Sequence, residues 1–169
     1  MTCDPRALGQ ILLETTSLDE EALLNALTIQ RERGGRIGEI LINQKLVTEE
    51  EVFRALSQQL NIPYWPEIAE EGLDLELLRT VPINFCKRHT LLPLKSEGET
   101  VQVAVSDPLD LAPMDDLQLL LKKPVQAVLA RPTNVLHAIN HSYDLISETA
   151  EKMVEDLHEE ELDLLTTEL

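Results

Sequence analysis

Three guanidinium groups and two glycines fall within six residues, Arg31-Glu32-Arg33-Gly34-Gly35-Arg36, and make this the one place in the chain where an anion would be welcome. Arginine forks match phosphate and carboxylate oxygens in pairs, and free backbone N–H groups at the start of a following helix add donors. Elsewhere the chemistry-bearing residues point to structure. His137 and His141 stand four apart, the spacing of two ligands on one helical face, but no glutamate base lies between them and no third ligand is evident, so no metal site is expected. Asp107 precedes Pro108 and reads as a turn former, while Asp110, Asp115 and Asp116 read as helix-start charge rather than as paired catalytic carboxylates. Cys3 and Cys86 read as reduced thiols, and Cys86 as a small buried hydrophobe. None of the six glycines is followed by Lys-Ser or Lys-Thr, so the chain has no phosphate loop, and it has no nucleophile elbow, zinc spacing or dinucleotide fingerprint. No catalytic residue is assigned, and the chain is not expected to be an enzyme or to hydrolyse ATP.

The arginine cluster separates two copies of one pattern. Residues 7–30 align without a gap on residues 36–59, at an offset of 29, with Gly9/Gly38, Ile11/Ile40, Leu12/Leu41, Glu20/Glu49, Glu21/Glu50, Ala26/Ala55, Leu27/Leu56 and Gln30/Gln59 identical. Each copy reads as a helical hairpin: a short apolar helix, a turn, then a longer helix. Asp19 and Thr48 are N-cap types, and the glutamates behind them sit favourably against the helix dipole. Two such hairpins close a compact four-helix unit, assigned to residues 1–62.

Two 24-residue units of the form R-L-G-x-x-L-x-x-x-G-x(6)-L-x-x-x-L-x-x-Q, separated by five residues, resemble the MshEN-type domain. That domain is the N-terminal module of the hexameric ATPases that drive type II secretion and type IV pilus assembly. The resemblance covers residues 7–59 and extends less sharply through Asn61-Ile62-Pro63-Tyr64 and Val105-Ser106-Asp107-Pro108-Leu109-Asp110. It implies a non-catalytic docking and regulatory module, cytoplasmic and peripheral to the inner membrane. Its work would be to couple a hexameric ATPase domain, in cis or in trans, to the cytoplasmic part of an inner-membrane platform protein. The alternative it implies is a sensor that binds cyclic di-GMP, with no other cofactor. Its contacts would be Leu8, Gly9, Leu12, Gln30, Arg36, Ile37, Gly38, Leu41 and Gln59, with Arg36 as main anchor. The sequence departs from the pattern at Ala7, with Arg6 one place early, and at Thr16 and Lys45. One half of the site therefore lacks its arginine, and a charge-assisted hydrogen bond is worth about 1.5–3 kcal/mol.

Beyond Gln59, Pro63, Trp65 and Pro66 break the helical pattern, and an acidic loop with Glu67, Glu70 and Glu71 ends at Gly72. Residues 63–147 read as a small α/β domain. Short helices are predicted over 73–80 and 82–88, strands over 89–94 and 100–105 around a Ser96-Glu97-Gly98-Glu99 loop, a helix over 113–121, a strand over 125–130 and a closing helix over 133–145. The fold class is therefore α+β: an all-α helical-repeat bundle followed by a small α/β domain with a short sheet. Residues 148–169 hold nine acids and one base and read as a solvated, partly helical linker. The sharper reading is an amphipathic helix with Met153, Val154, Leu157, Leu162, Leu164 and Leu165 as its apolar positions. The net charge of −17 disfavours nucleic acid and anionic bilayers as partners, and no apolar run approaches the roughly 20 residues of a membrane span.

Overall fold

Each repeat folds as two helices because each carries its own start signals. In the computed structural model, which describes residues 6–69 and 71–167, α1 is Leu8–Thr15, α2 Glu20–Arg33, α3 Ile37–Asn43 and α4 Glu49–Leu60. Cys3 and Glu70 lie outside the described residues, as do the side chains at 159 and 162–166. The Asp19 carboxylate accepts from the Ala22 amide at 2.7 Å, and Thr48 closes a full capping box with Glu51. The first helix of each hairpin lies so close on the second that a β-carbon does not fit. At Gly9 it would meet Leu23 Cδ1 at 2.9 Å, and at Gly38 it would meet Val52 Cγ1 at 2.9 Å. The two contacts are the same pair of positions, one repeat apart. Ile11, Leu12, Ala26 and Leu41 are wholly excluded from water at the centre of this unit.

The second unit contains α5 Leu75–Arg79, α6 Ile83–His89, β1 Leu91–Glu97, β2 Thr100–Val105, α7 Ala112–Leu121, β3 Val125–Leu129 and α8 Pro132–Thr167. Its sheet has the order β1-β2-β3, with β1 and β2 antiparallel and β3 parallel to β2 across the α7 connection. Two expectations are corrected. The β1 strand begins at Leu91 and runs past Leu94 to Glu97, so the hairpin turns on Gly98-Glu99 alone, with Gly98 at φ 62°. The closing helix does not end near Leu145 but continues unbroken through Thr167. The reason is compositional: residues 145–158 hold no Gly or Pro, and Glu148, Ala150, Glu151, Lys152, Met153 and Leu157 are strong helix formers.

Leu78, Leu92, Val101, Val103, Leu117, Leu129, Val135 and Ile139 fill the second core. Phe53 of α4 is buried there too, so the helical repeat contributes an aromatic ring to its neighbour's core. The Tyr143 hydroxyl on α8 donates to the Val81 carbonyl at 2.5 Å, and the Cys86 sulfur lies 3.5 Å from it. Burial pushes the Cys86 thiol up, in keeping with a packing role.

Candidate ligand cavity between the repeats and the sheet

The helical unit and the α/β unit enclose a cavity of about 650 Å³, a size ordinary for small-molecule sites. The repeats contribute Leu8 at the start of α1, Gln30 near the end of α2, Gly35, Arg36, Ile37 and Gly38 leading into α3, and Val52, Leu56 and Gln59 on α4. From the other unit come Arg88, His89 and Thr90 at the end of α6, Pro132 opening α8, and the loop Ser106-Asp107-Pro108-Leu109-Asp110 after β2.

Of the nine residues the resemblance nominates, Leu8, Gln30, Arg36, Ile37, Gly38 and Gln59 line this cavity. Gly9, Leu12 and Leu41 do not line it; they are buried in the helical core, Leu12 and Leu41 completely. The two glutamines make equivalent bonds. Gln30 Nε2 donates to the Gly35 carbonyl at 3.0 Å, and Gln59 Nε2 donates to the Arg6 carbonyl at 3.1 Å. Each repeat thus ends on the residue that immediately precedes the other, an exchange that makes residues 7 and 36 equivalent. The arginine cluster does not act together. Arg31 and Arg33 stand exposed on the last turn of α2, where they complement the helix dipole, and Gly34 and Gly35, at φ 75° and 94°, turn the chain before Arg36.

Arg36 already has an anion. Its guanidinium bonds the Asp107 carboxylate at 2.6 Å, spanning the two units, and this hydrogen bond holds Arg36 above its ordinary range. Partial burial would raise Asp107, but the bonds from Arg36 and from the Leu109 amide, with the Arg36 charge, outweigh it and keep the carboxyl below its usual range. Arg6, one place from the vacant arginine position, is ion-paired with Glu14 on its own hairpin. Glu39, Glu49 and Asp110 add carboxylates to the lining, against Arg88 and His89. The residues contributed by the α/β unit were not nominated from sequence. The Ser106–Asp110 stretch carried a signal as part of the resemblance, whereas Arg88 and His89 carried none, and His89 was placed at the start of a strand where it in fact ends α6.

A second, open pocket is lined by Ile68, Ala69, Glu71, His141 and Leu145. Among the described residues no group of three or more His, Cys, Asp or Glu is placed to hold a metal ion, and no described helix is long and apolar enough to cross a membrane.

The class that the geometry defines is a helical repeat joined to a small α/β unit, with a cavity of ligand size between them. The MshEN domain profile matches residues 60–149, more than half of the chain, and the chain belongs to the MshEN domain family. The match lies on the α/β unit, where the sequence resemblance is less sharp than over residues 7–59 but reaches residues 61–64 and 105–110. A solved structure of MshE with cyclic di-GMP is 27% identical, covers 82% of this chain and 99% of its own, and superposes with a TM-score of 0.70. That share is too large for residues 60–169 alone, so the likeness reaches into the repeats. The type IV pilus assembly ATPase PilB of Myxococcus xanthus is 25% identical over 89% of this chain and 26% of its own length. Bacteriophage adsorption protein B of Escherichia coli K12 is 28% identical over 82% of this chain and 18% of its own. The chain thus spans about a quarter or less of these two curated relatives.

Proposed function

We propose that this chain is a non-catalytic regulatory module whose cavity between the repeats and the sheet receives cyclic di-GMP. One observation carries the reading: residues from both repeats, Leu8, Gln30, Arg36, Ile37, Gly38 and Gln59, collect around a single cavity of about 650 Å³. Support comes from the MshE structure with cyclic di-GMP, similar over most of this chain. Leu8, Ile37, Val52 and Leu56 offer apolar surface to the bases, and Arg36 offers a phosphate partner if it exchanges Asp107 for the ligand. Calorimetry tests this directly. Wild-type protein at tens of micromolar should give saturable heat with cyclic di-GMP, and Arg36→Ala should weaken binding by about ten-fold or more. No heat from the wild type sinks the reading.

The similarity to a pilus assembly ATPase over 89% of this chain favours a second role for the same module. In it, the chain docks on the cytoplasmic part of an inner-membrane platform protein and couples that protein to a hexameric ATPase domain. Leu24, 64% exposed on α2, is a place to test it. Leu24→Glu should abolish pull-down of the platform protein's cytoplasmic domain, and absence of any binding by the wild type would count against docking.

A further inference from the structure

We propose that Arg88 supplies the second guanidinium of the cavity, in place of the arginine missing at residue 7, so that a cyclic dinucleotide meets one cation from each unit of the molecule. The inference rests on the reading of the cavity as a cyclic di-GMP site and names a residue that the repeats do not contain.

The glutamine bonds make residues 7 and 36 equivalent, and the repeat pattern asks for arginine at both. Residue 7 is alanine, and Arg6 is committed to Glu14, so the first repeat offers the cavity no guanidinium. A cyclic dinucleotide carries two phosphodiesters and hence two negative charges. It would enter a lining with four carboxylates, Glu39, Glu49, Asp107 and Asp110, where Arg36 is already shared with Asp107. One shared guanidinium does not balance that field, because like charges a few ångströms apart repel even at the moderate dielectric of a cleft. Arg88 lines the same cavity from the last turn of α6. Its side chain is exposed and makes no ion pair or hydrogen bond among the described residues. It is therefore a cation with its pairing capacity unspent, in the lining of the cavity to which the repeats bring one guanidinium instead of two.

The competing explanation is that Lys87, Arg88 and His89 only complement the α6 dipole. That role predicts no effect on ligand affinity, and calorimetry on the full chain separates the two. Cyclic di-GMP is titrated into wild type, Arg88→Ala, Arg88→Lys and the double variant Arg88→Ala/Ala7→Arg, with melting curves confirming that each is folded. Arg88→Ala should weaken binding by about ten-fold, Arg88→Lys should retain part of the affinity, and the double variant should recover most of it. Binding by Arg88→Ala within two-fold of a wild type that does bind overturns the role of Arg88 and leaves the cyclic di-GMP reading standing. A weakened Arg88→Ala that Ala7→Arg fails to restore overturns the replacement of residue 7. A wild type that does not bind removes the reading on which the inference rests.

Discussion

A β-carbon added at Gly38 would sit 2.9 Å from Val52 Cγ1, and one added at Gly9 would sit 2.9 Å from Leu23 Cδ1. The distances are equal, but the neighbours are not. Val52 is β-branched and held at its first torsion, whereas Leu23 Cδ1 ends a longer side chain that can move aside. Gly38→Ala should therefore destabilise by about 1–3 kcal/mol through overpacking, while at Gly9 the helix-propensity gain of about 1 kcal/mol offsets most of the strain. Urea midpoints of the two variants check the order. Asp107 is a test of linkage at the same scale. Its carboxyl is held below the usual range in the folded chain, so its contribution is present above the unfolded value of about 3.9 and is lost as pH falls through the folded value. Because Arg36 and Asp107 are 49% and 35% exposed, solvent screening limits the pair to about 1 kcal/mol or less. Asp107→Asn should accordingly be slightly less stable than wild type at neutral pH and indistinguishable from it near pH 2, as read from urea midpoints at the two pH values.

At the level of elements, the helix starts were legible because they are written in single residues. Asp19 and Thr48 were expected as caps, and both accept the amide three residues on. Thr48→Ala removes the capping box with Glu51 and should cost about 1 kcal/mol, a fall of roughly 2–4 °C in Tm for a chain of this size. The end of α8 was not legible for the opposite reason: nothing stops it. No glycine or proline follows Leu145, and the run of nine acids against one base in residues 148–169 was set apart as a partly helical linker although only burial, not the helix, ends there. The cavity divided along the same line. Its repeat-borne half was nominated through the family resemblance that the repeats carry, although Gly9, Leu12 and Leu41 turned inward to the core. Its other half depends on α6 and the loop after β2 being carried to the repeats by Phe53 and its neighbours in the shared core, and spacing along a chain does not encode that.

For the whole molecule, the question is where the charge sits relative to what is packed. Residues 148–169 hold nine acids and one base, so removing them takes the net charge from −17 to −9. The face of α8 that buries Val135, Ile139 and Ser142 continues in register through Met153 and Leu157, which are 56% and 64% exposed, and every described side chain from Ala150 to His158 is exposed. The side chains of Leu162, Leu164 and Leu165 lie outside the described residues. An exposed extension adds little to the folding free energy of the body, while its charge adds to self-repulsion that salt screens over about 10 Å at 0.1 M. The chain cut after Ser147 should therefore melt within about 2 °C of the full chain near physiological salt. At low salt it should melt higher than the full chain, whose Tm should rise more steeply as salt is added. Differential scanning calorimetry of both chains over a salt series measures the two slopes. A truncated chain that melts several degrees lower at every salt concentration would mean that the extension packs on the body or on a second copy in solution.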